Sequence, residues 1–185
     1  MITIVSGLPR SGTSLMMQIL KAGGLELLAD NIREADDNNP KGYYELEKVK
    51  SLMKDNSWLA DAEGKVIKVI AQLIPFLHED FEYRIIFMER NINEVVNSQN
   101  RMIDKLGGNR STVNDEILKK TFLSQLEKVK AAIKVKGYKT VFINYNSLIE
   151  SSGQELNLLN TELGLDIDIK NASQQIDKSL YRSRD

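Results

Sequence analysis

A chain of 185 residues is long enough for one domain with a substantial core and short for two, so a single unit over residues 1–185 is expected. Its hydrophobic fraction of 42% and charged fraction of 28% are ordinary for a soluble protein, and a net charge of -1 gives the whole molecule no pull toward nucleic acid or membrane. With no cysteine and a single histidine, His78, the composition excludes disulfides, thiolate metal sites and histidine-rich metal sites.

The chain opens on an apolar, β-rich run over residues 2–6 that passes straight into Gly7-Leu8-Pro9-Arg10-Ser11-Gly12-Thr13-Ser14, and helical spacing follows over 15–22. That opening run is too short and too poor in basic residues for a signal peptide, and no stretch approaches the ~20 residues of a membrane span. A cytoplasmic protein is expected. Residues 30–42, with Asp36-Asp37-Asn38-Asn39-Pro40-Lys41-Gly42, read as a loop long enough to suggest a functional role. Helical spacing returns over 45–55, a strand over 65–70, a helix over 71–77, a strand over 83–88 and a helix over 92–106. After the turn at Gly107-Gly108-Asn109, a long amphipathic helix over 113–136 is stopped by Gly137. A strand over 140–144, a helix over 154–163 closed by Gly164 and a polar tail over 166–185 complete the chain. Buried strands alternating with helices predict an α/β protein, a three-layer P-loop NTPase-like fold whose central, mainly parallel sheet is flanked by helices.

Strand, glycine loop and helix in that order form the frame of a phosphate-binding P-loop. A Walker A loop has Gly, four residues, Gly, then Lys and Ser or Thr, because the lysine must reach the outer phosphates while backbone N–H groups cradle them. Thr13 stands where that lysine belongs, and the loop's cation has moved to Arg10. The N–H groups from Ser11 through Gly12 and Thr13 to Ser14 are expected to face an anion at a helix N-terminus. A plain strand-to-helix turn needs a cap, but neither the two glycines nor the arginine. Arg90 lies at the carboxyl end of a predicted strand, where ligands bind in open α/β sheets, and Ser98 lies two helical turns into the next helix.

Together these motifs resemble the sulfotransferase superfamily, whose donor is 3′-phosphoadenosine 5′-phosphosulfate (PAPS). Leu8-Pro9-Arg10-Ser11-Gly12-Thr13-Ser14-Leu15 is similar to its 5′-phosphosulfate loop, and Arg90 followed eight positions later by Ser98 is similar to its 3′-phosphate motif. Asn39-Pro40-Lys41-Gly42-Tyr43-Tyr44-Glu45 resembles a pattern of bacterial members, and Asn144-Tyr145-Asn146-Ser147-Leu148 is a weaker echo of a later strand and its Tyr-Glu-Asp-Leu. The resemblance implies transfer of a sulfuryl group from PAPS to a hydroxyl or amine of a small molecule, glycan or peptide, with no metal required. Fixed N–H groups and one cation suit the charge that develops on the departing 5′-phosphate. Arg10, Thr13 and Ser14 would meet it.

The acceptor's general base is less legible. Cytosolic members carry Lys-x-His after the second strand; here Lys68-Val69-Ile70 keeps the lysine and loses the histidine. His78 reads as a surface or capping residue. A carboxylate is then expected, as in related branches, with Glu34 and Glu45 flanking the long loop and Glu45 preferred beside Tyr43 and Tyr44. Tyr43, Tyr44 and Trp58 are candidates for a pocket wall or for the core. The family's C-terminal 3′-phosphate element is absent; Lys178, Arg182 and Arg184 are candidates for its charge, Arg182 foremost, or belong to a solvated tail. Two alternatives stand beside this reading: a P-loop kinase or NTPase, with residues 84–89 as its acid-ended strand, and a non-catalytic nucleotide-binding protein on the same fold.

Overall fold

Runs of Ile and Val become the strands β1 (Ile2–Gly7), β2 (Val66–Lys68), β3 (Tyr83–Glu89) and β4 (Lys139–Asn144) in a computed structural model that describes residues 1–30, 32–33, 35–36, 39, 41–105 and 114–177. They form one parallel sheet in the order β2-β1-β3-β4. The side chains alternate between its faces as a period of two requires. Ile2, Ile4, Ile85 and Phe87 enter one core, while Val5, Ile86, Met88 and Ile143 enter the other.

Helices cover both faces, which is why the central strands carry apolar residues on either side. On one face lie α1 (Thr13–Ala22), α4 (Tyr145–Glu150), α5 (Ser152–Leu163) and α6 (Ile169–Ser173). The other face packs against α3 (Asp115–Lys136) and two 3₁₀ segments, Ser57–Ala62 and Ala71–Phe76. Helix α2 (Ile92–Lys105) joins Leu8 to Phe122 of α3 through Val95 and Val96. The chain leaves β1 for β2 on one side and returns to β3 on the other. That reversal opens a crevice at the carboxyl ends of β1 and β3, the usual ligand position in open α/β sheets.

Several elements depart from expectation. The helix expected over 45–55 is a 3₁₀ segment, Glu47–Ser51, whose start is held by the Asp30 carboxylate accepting from the Glu47 N–H at 2.6 Å. The helix expected over 71–77 is also 3₁₀, with Pro75 inside it removing a backbone donor. The strand expected over 65–70 shortens to Val66–Lys68. Helix α4 was not expected; Asn144 caps it by accepting from the N–H groups of Asn146 and Ser147. Helix α3 starts at Asp115 behind its cap Asn114, and the turn at 107–109 lies outside the described residues. No helix among the described residues is long and apolar enough to cross a membrane.

Candidate functional site

The loop after β1 is shaped by close approaches that only glycine permits. A Cβ on Gly7 would lie 2.4 Å from Ser11 Oγ and 2.6 Å from the Met88 carbonyl, and one on Gly12, at φ 99°, would lie 2.4 Å from the Tyr145 ring. Glycine therefore lets the loop pack against β3 and α4. Helix α1 begins at Thr13 with no side chain capping it, a disposition of first-turn N–H groups that suits an anion. Ser11 does not join them. Its N–H and Oγ both donate to the Leu8 carbonyl, at 3.2 and 2.7 Å, and the residue is buried, so it shapes the loop instead of lining the crevice.

A cavity of about 900 Å³ opens in front of this loop, and Gly12, Thr13 and Ser14 line it with Arg10, Lys68, Arg90 and Ser98. Eight of its lining residues are Lys or Arg and three are Asp or Glu. In a chain of net charge -1, this is a local concentration of positive charge. Lys68 is carried from the end of β2 to the start of α1, where its Nζ donates to Ser14 Oγ at 3.1 Å and to the Tyr43 carbonyl at 3.0 Å. Its ammonium lies 3.4 Å from Glu45 Oε1. Burial pulls the Lys68 pKa below the ordinary lysine value, against the opposing pull of Glu45. A lysine from the neighbouring strand thus reaches the start of α1, where position 13 itself carries threonine.

Arg10 takes another direction. Its backbone is left-handed, φ 67°, and its guanidinium turns to α2, donating from Nε to Ser98 Oγ at 3.1 Å. Arg90 holds that backbone by donating from Nη1 to the Arg10 carbonyl at 3.1 Å. The Arg90 guanidinium lies over the Tyr145 ring at 4.3 Å and donates from Nε to Glu94 Oε2 at 2.7 Å. Glu94 is itself buried and accepts from Asn146 Nδ2 at 3.1 Å. Removing one partner of a buried ion pair leaves the other charged and uncompensated, which costs about 3–5 kcal/mol. Glu94→Ala is expected to destabilise the fold by that order in a denaturant titration, and a loss under 1 kcal/mol would show that Arg90 does not depend on it.

Glu45 stands at the cavity wall with its Oε1 3.0 Å from Arg33 Nη1 as well as near Lys68. Arg33 is stacked 3.4 Å above the Tyr43 ring, and the Tyr43 hydroxyl donates to Asp36 at 2.8 Å. Tyr43 therefore forms part of the wall. Tyr44 packs against the core, and Trp58 is buried within it, so neither follows Tyr43 into the cavity lining. His78 is half-buried at the surface, beside Asp80. Glu34, Lys178, Arg182 and Arg184 lie outside the described residues. Sequence reasoning missed Arg33 and Glu94 as site residues and met Tyr145 only within the echo at 144–148; of the two missed, only Glu94, one helical turn after Arg90, carried a readable signal, an i,i+4 ion pair.

No protein-family model and no curated protein matches this sequence. Among solved structures, the sulfotransferase domain from the curacin biosynthetic pathway aligns over 97% of this chain and 78% of its own, at 16% identity and a TM-score of 0.56. Retinol dehydratase in complex with androsterone and the inactive cofactor PAP aligns over 97% of this chain and 65% of its own, at 11% identity and a TM-score of 0.52. The chain spans about two thirds to four fifths of these proteins. It has their fold.

Proposed function

We propose that this chain is a sulfotransferase that moves a sulfuryl group from PAPS to an acceptor hydroxyl. The observation that carries the reading is the cation-rich cavity at an uncapped helix N-terminus, with Lys68 delivered to Ser14 in place of the Walker lysine. Support also comes from the fold shared with a sulfotransferase domain and with a protein solved with PAP.

PAPS supplies the sulfuryl group: the acceptor oxygen forms a bond to sulfur as the bond from sulfur to the bridging oxygen of the 5′-phosphate breaks. The N–H groups of Thr13 and Ser14 hold the 5′ anion, and Lys68 meets the negative charge that grows as that bond lengthens. Glu45 takes the acceptor's proton onto its carboxylate. Arg90, pinned by Glu94 and Tyr145, fixes the loop's path before substrate arrives.

A kinase reading is weaker on the same geometry. Glu89, the acid that ends β3, pairs with Lys130 of α3 and is not among the cavity-lining residues. A nucleotide-binding protein without transfer activity remains the second reading, favoured by one observation: the Glu45 carboxylate is already engaged by Lys68 and Arg33.

Thermal unfolding with adenosine 3′,5′-bisphosphate (PAP) and, separately, with Mg-ATP tests the donor. At ~100 times its dissociation constant the true ligand adds ~2.7 kcal/mol of stability. PAP is expected to raise the transition temperature and Mg-ATP to leave it unchanged; the reverse pattern would sink the proposal. Release of PAP from PAPS in the presence of an acceptor then separates transfer from binding.

A further inference from the structure

Below its N-terminus, α1 turns one face toward residues 43–44. Ser14, Gln18 and Lys21 stand there at i, i+4 and i+7; Ser14 Oγ donates to the Tyr43 carbonyl at 3.4 Å, and the Lys21 ammonium lies 5.7 Å from the centre of the Tyr44 ring. Gln18 sits between these contacts and is only 7% exposed. A carboxamide has two N–H donors and an acceptor oxygen, and burying it without partners is costly. Yet the Gln18 amide makes no hydrogen bond to any described residue. Among the described residues, the orphaned side-chain atoms sealed from solvent are Gln72 Oε1, the Tyr138 hydroxyl and Asn146 Oδ1; Gln18 is not one of them, and the space it borders is the cavity, which it lines beside Ser14 and Tyr43. The same face begins at the residue that Lys68 reaches, and Glu45 lies 3.4 Å from that ammonium. The buried amide thus stands one helical turn from the proposed centre of transfer, on the side of the proposed base.

We propose that Gln18 is the polar contact of the acceptor subsite and takes a neutral group that donates and accepts at once, a hydroxyl or a carboxamide carried by the acceptor beyond its reacting hydroxyl. The inference rests on the transfer reading above and narrows its acceptor. A carboxamide is neutral and offers an anion no charge, whereas a hydroxyl or a second carboxamide satisfies both of its ends. An acceptor without such a group displaces water from the cavity and leaves the amide unpaired, so it binds less well. Gln18 is then a specificity-determining residue, selecting polar over purely apolar alcohols although Ile32, Val49 and Ile70 also line the cavity.

Gln18→Met keeps the length of the side chain and removes its polar end. Phenols that differ only in the tail opposite the reacting hydroxyl read the subsite: 4-ethylphenol, 4-(2-hydroxyethyl)phenol and 4-hydroxyphenylacetamide, each titrated calorimetrically into the full chain with PAP and without it. The affinity ratio of the hydroxyethyl or carboxamide phenol to 4-ethylphenol is expected to be roughly tenfold higher in the wild type than in the variant, the scale of two neutral hydrogen bonds, and the phenol that responds names the group. PAP affinity is expected to agree within about threefold between the two proteins. The thermal midpoint of the free variant is expected to rise by about 2–4 °C, because an unpaired buried amide has gone. An unchanged phenol ratio overturns the subsite and leaves the donor reading standing, and so does a lowered midpoint, which means that the amide is already bonded within the fold. A variant that loses PAP affinity while the phenol ratio holds gives Gln18 to the nucleotide and overturns the acceptor assignment. A wild type that does not bind PAP overturns the donor reading alone, and the ratio measured without PAP then judges Gln18.

Discussion

Lys68→Met is expected to lower the rate of sulfuryl transfer by about 10²–10³, the loss typical when one preorganised donor to developing charge is removed. Lys68 is the cation nearest the start of α1, with its Nζ 3.1 Å from Ser14 Oγ, whereas the guanidinium of Arg10 is spent on Ser98. Methionine keeps the stem and removes the charge, so a fall in kcat with an intact thermal transition identifies the ammonium as the cause. A variant within threefold of the wild type would move the catalytic cation elsewhere in the cavity.

The same residue gives the site a pH dependence whose sign follows from its burial. Burial disfavours the charged form of Lys68, so its pKa in the free protein lies below the ordinary lysine value. In the free protein this is a penalty carried below the folded pKa and relieved as pH rises toward the unfolded value. A bound 5′ anion acts oppositely, favouring the ammonium and raising the pKa. Stabilisation by PAP is therefore expected to shrink as pH rises through the lowered free-protein pKa of Lys68, measured as the PAP-induced shift at a series of pH values. Lys68→Met should show a smaller shift with no such decline.

The sheet and the loop were legible because their signals are local. Buried parallel strands read as Ile- and Val-rich runs, and Gly7 and Gly12 mark positions where the φ of 153° and 99° and the close contacts exclude a Cβ. Residues 45–55 and 71–77 carry helical spacing yet fold as the 3₁₀ segments Glu47–Ser51 and Ala71–Phe76, because apolar spacing alone does not separate a short 3₁₀ segment from the start of an α-helix. The division of labour between Lys68 and Arg10 was not legible. It depends on β2 lying beside β1, which brings Lys68 across 54 positions to Ser14, and on α2 folding back, which brings Ser98 across 88 positions to Arg10. Spelling placed the arginine in the loop but not the direction of its side chain. Arg33 is the extreme case, since nothing in its neighbours announces the stack on Tyr43 that sets it beside Glu45.

Glu45→Gln is expected to lower kcat by ~10²–10⁴, the usual contribution of a positioned general base, with little change in PAP affinity. The proposed function gives the carboxylate two duties that the variant separates. As a base it would meet the acceptor hydroxyl at the cavity wall; as a partner it engages Lys68 and Arg33 through Oε1. Glutamine keeps an oxygen for Arg33 and loses both the charge and the proton-accepting capacity. Because Glu45 opposes the effect of burial on Lys68, removing its charge lowers the Lys68 pKa further, and the decline in PAP stabilisation should begin at lower pH than in the wild type. A displaced decline together with a collapsed kcat assigns both duties to Glu45. If the decline moves while kcat holds within threefold, Glu45 only tunes Lys68 and another group takes the acceptor's proton.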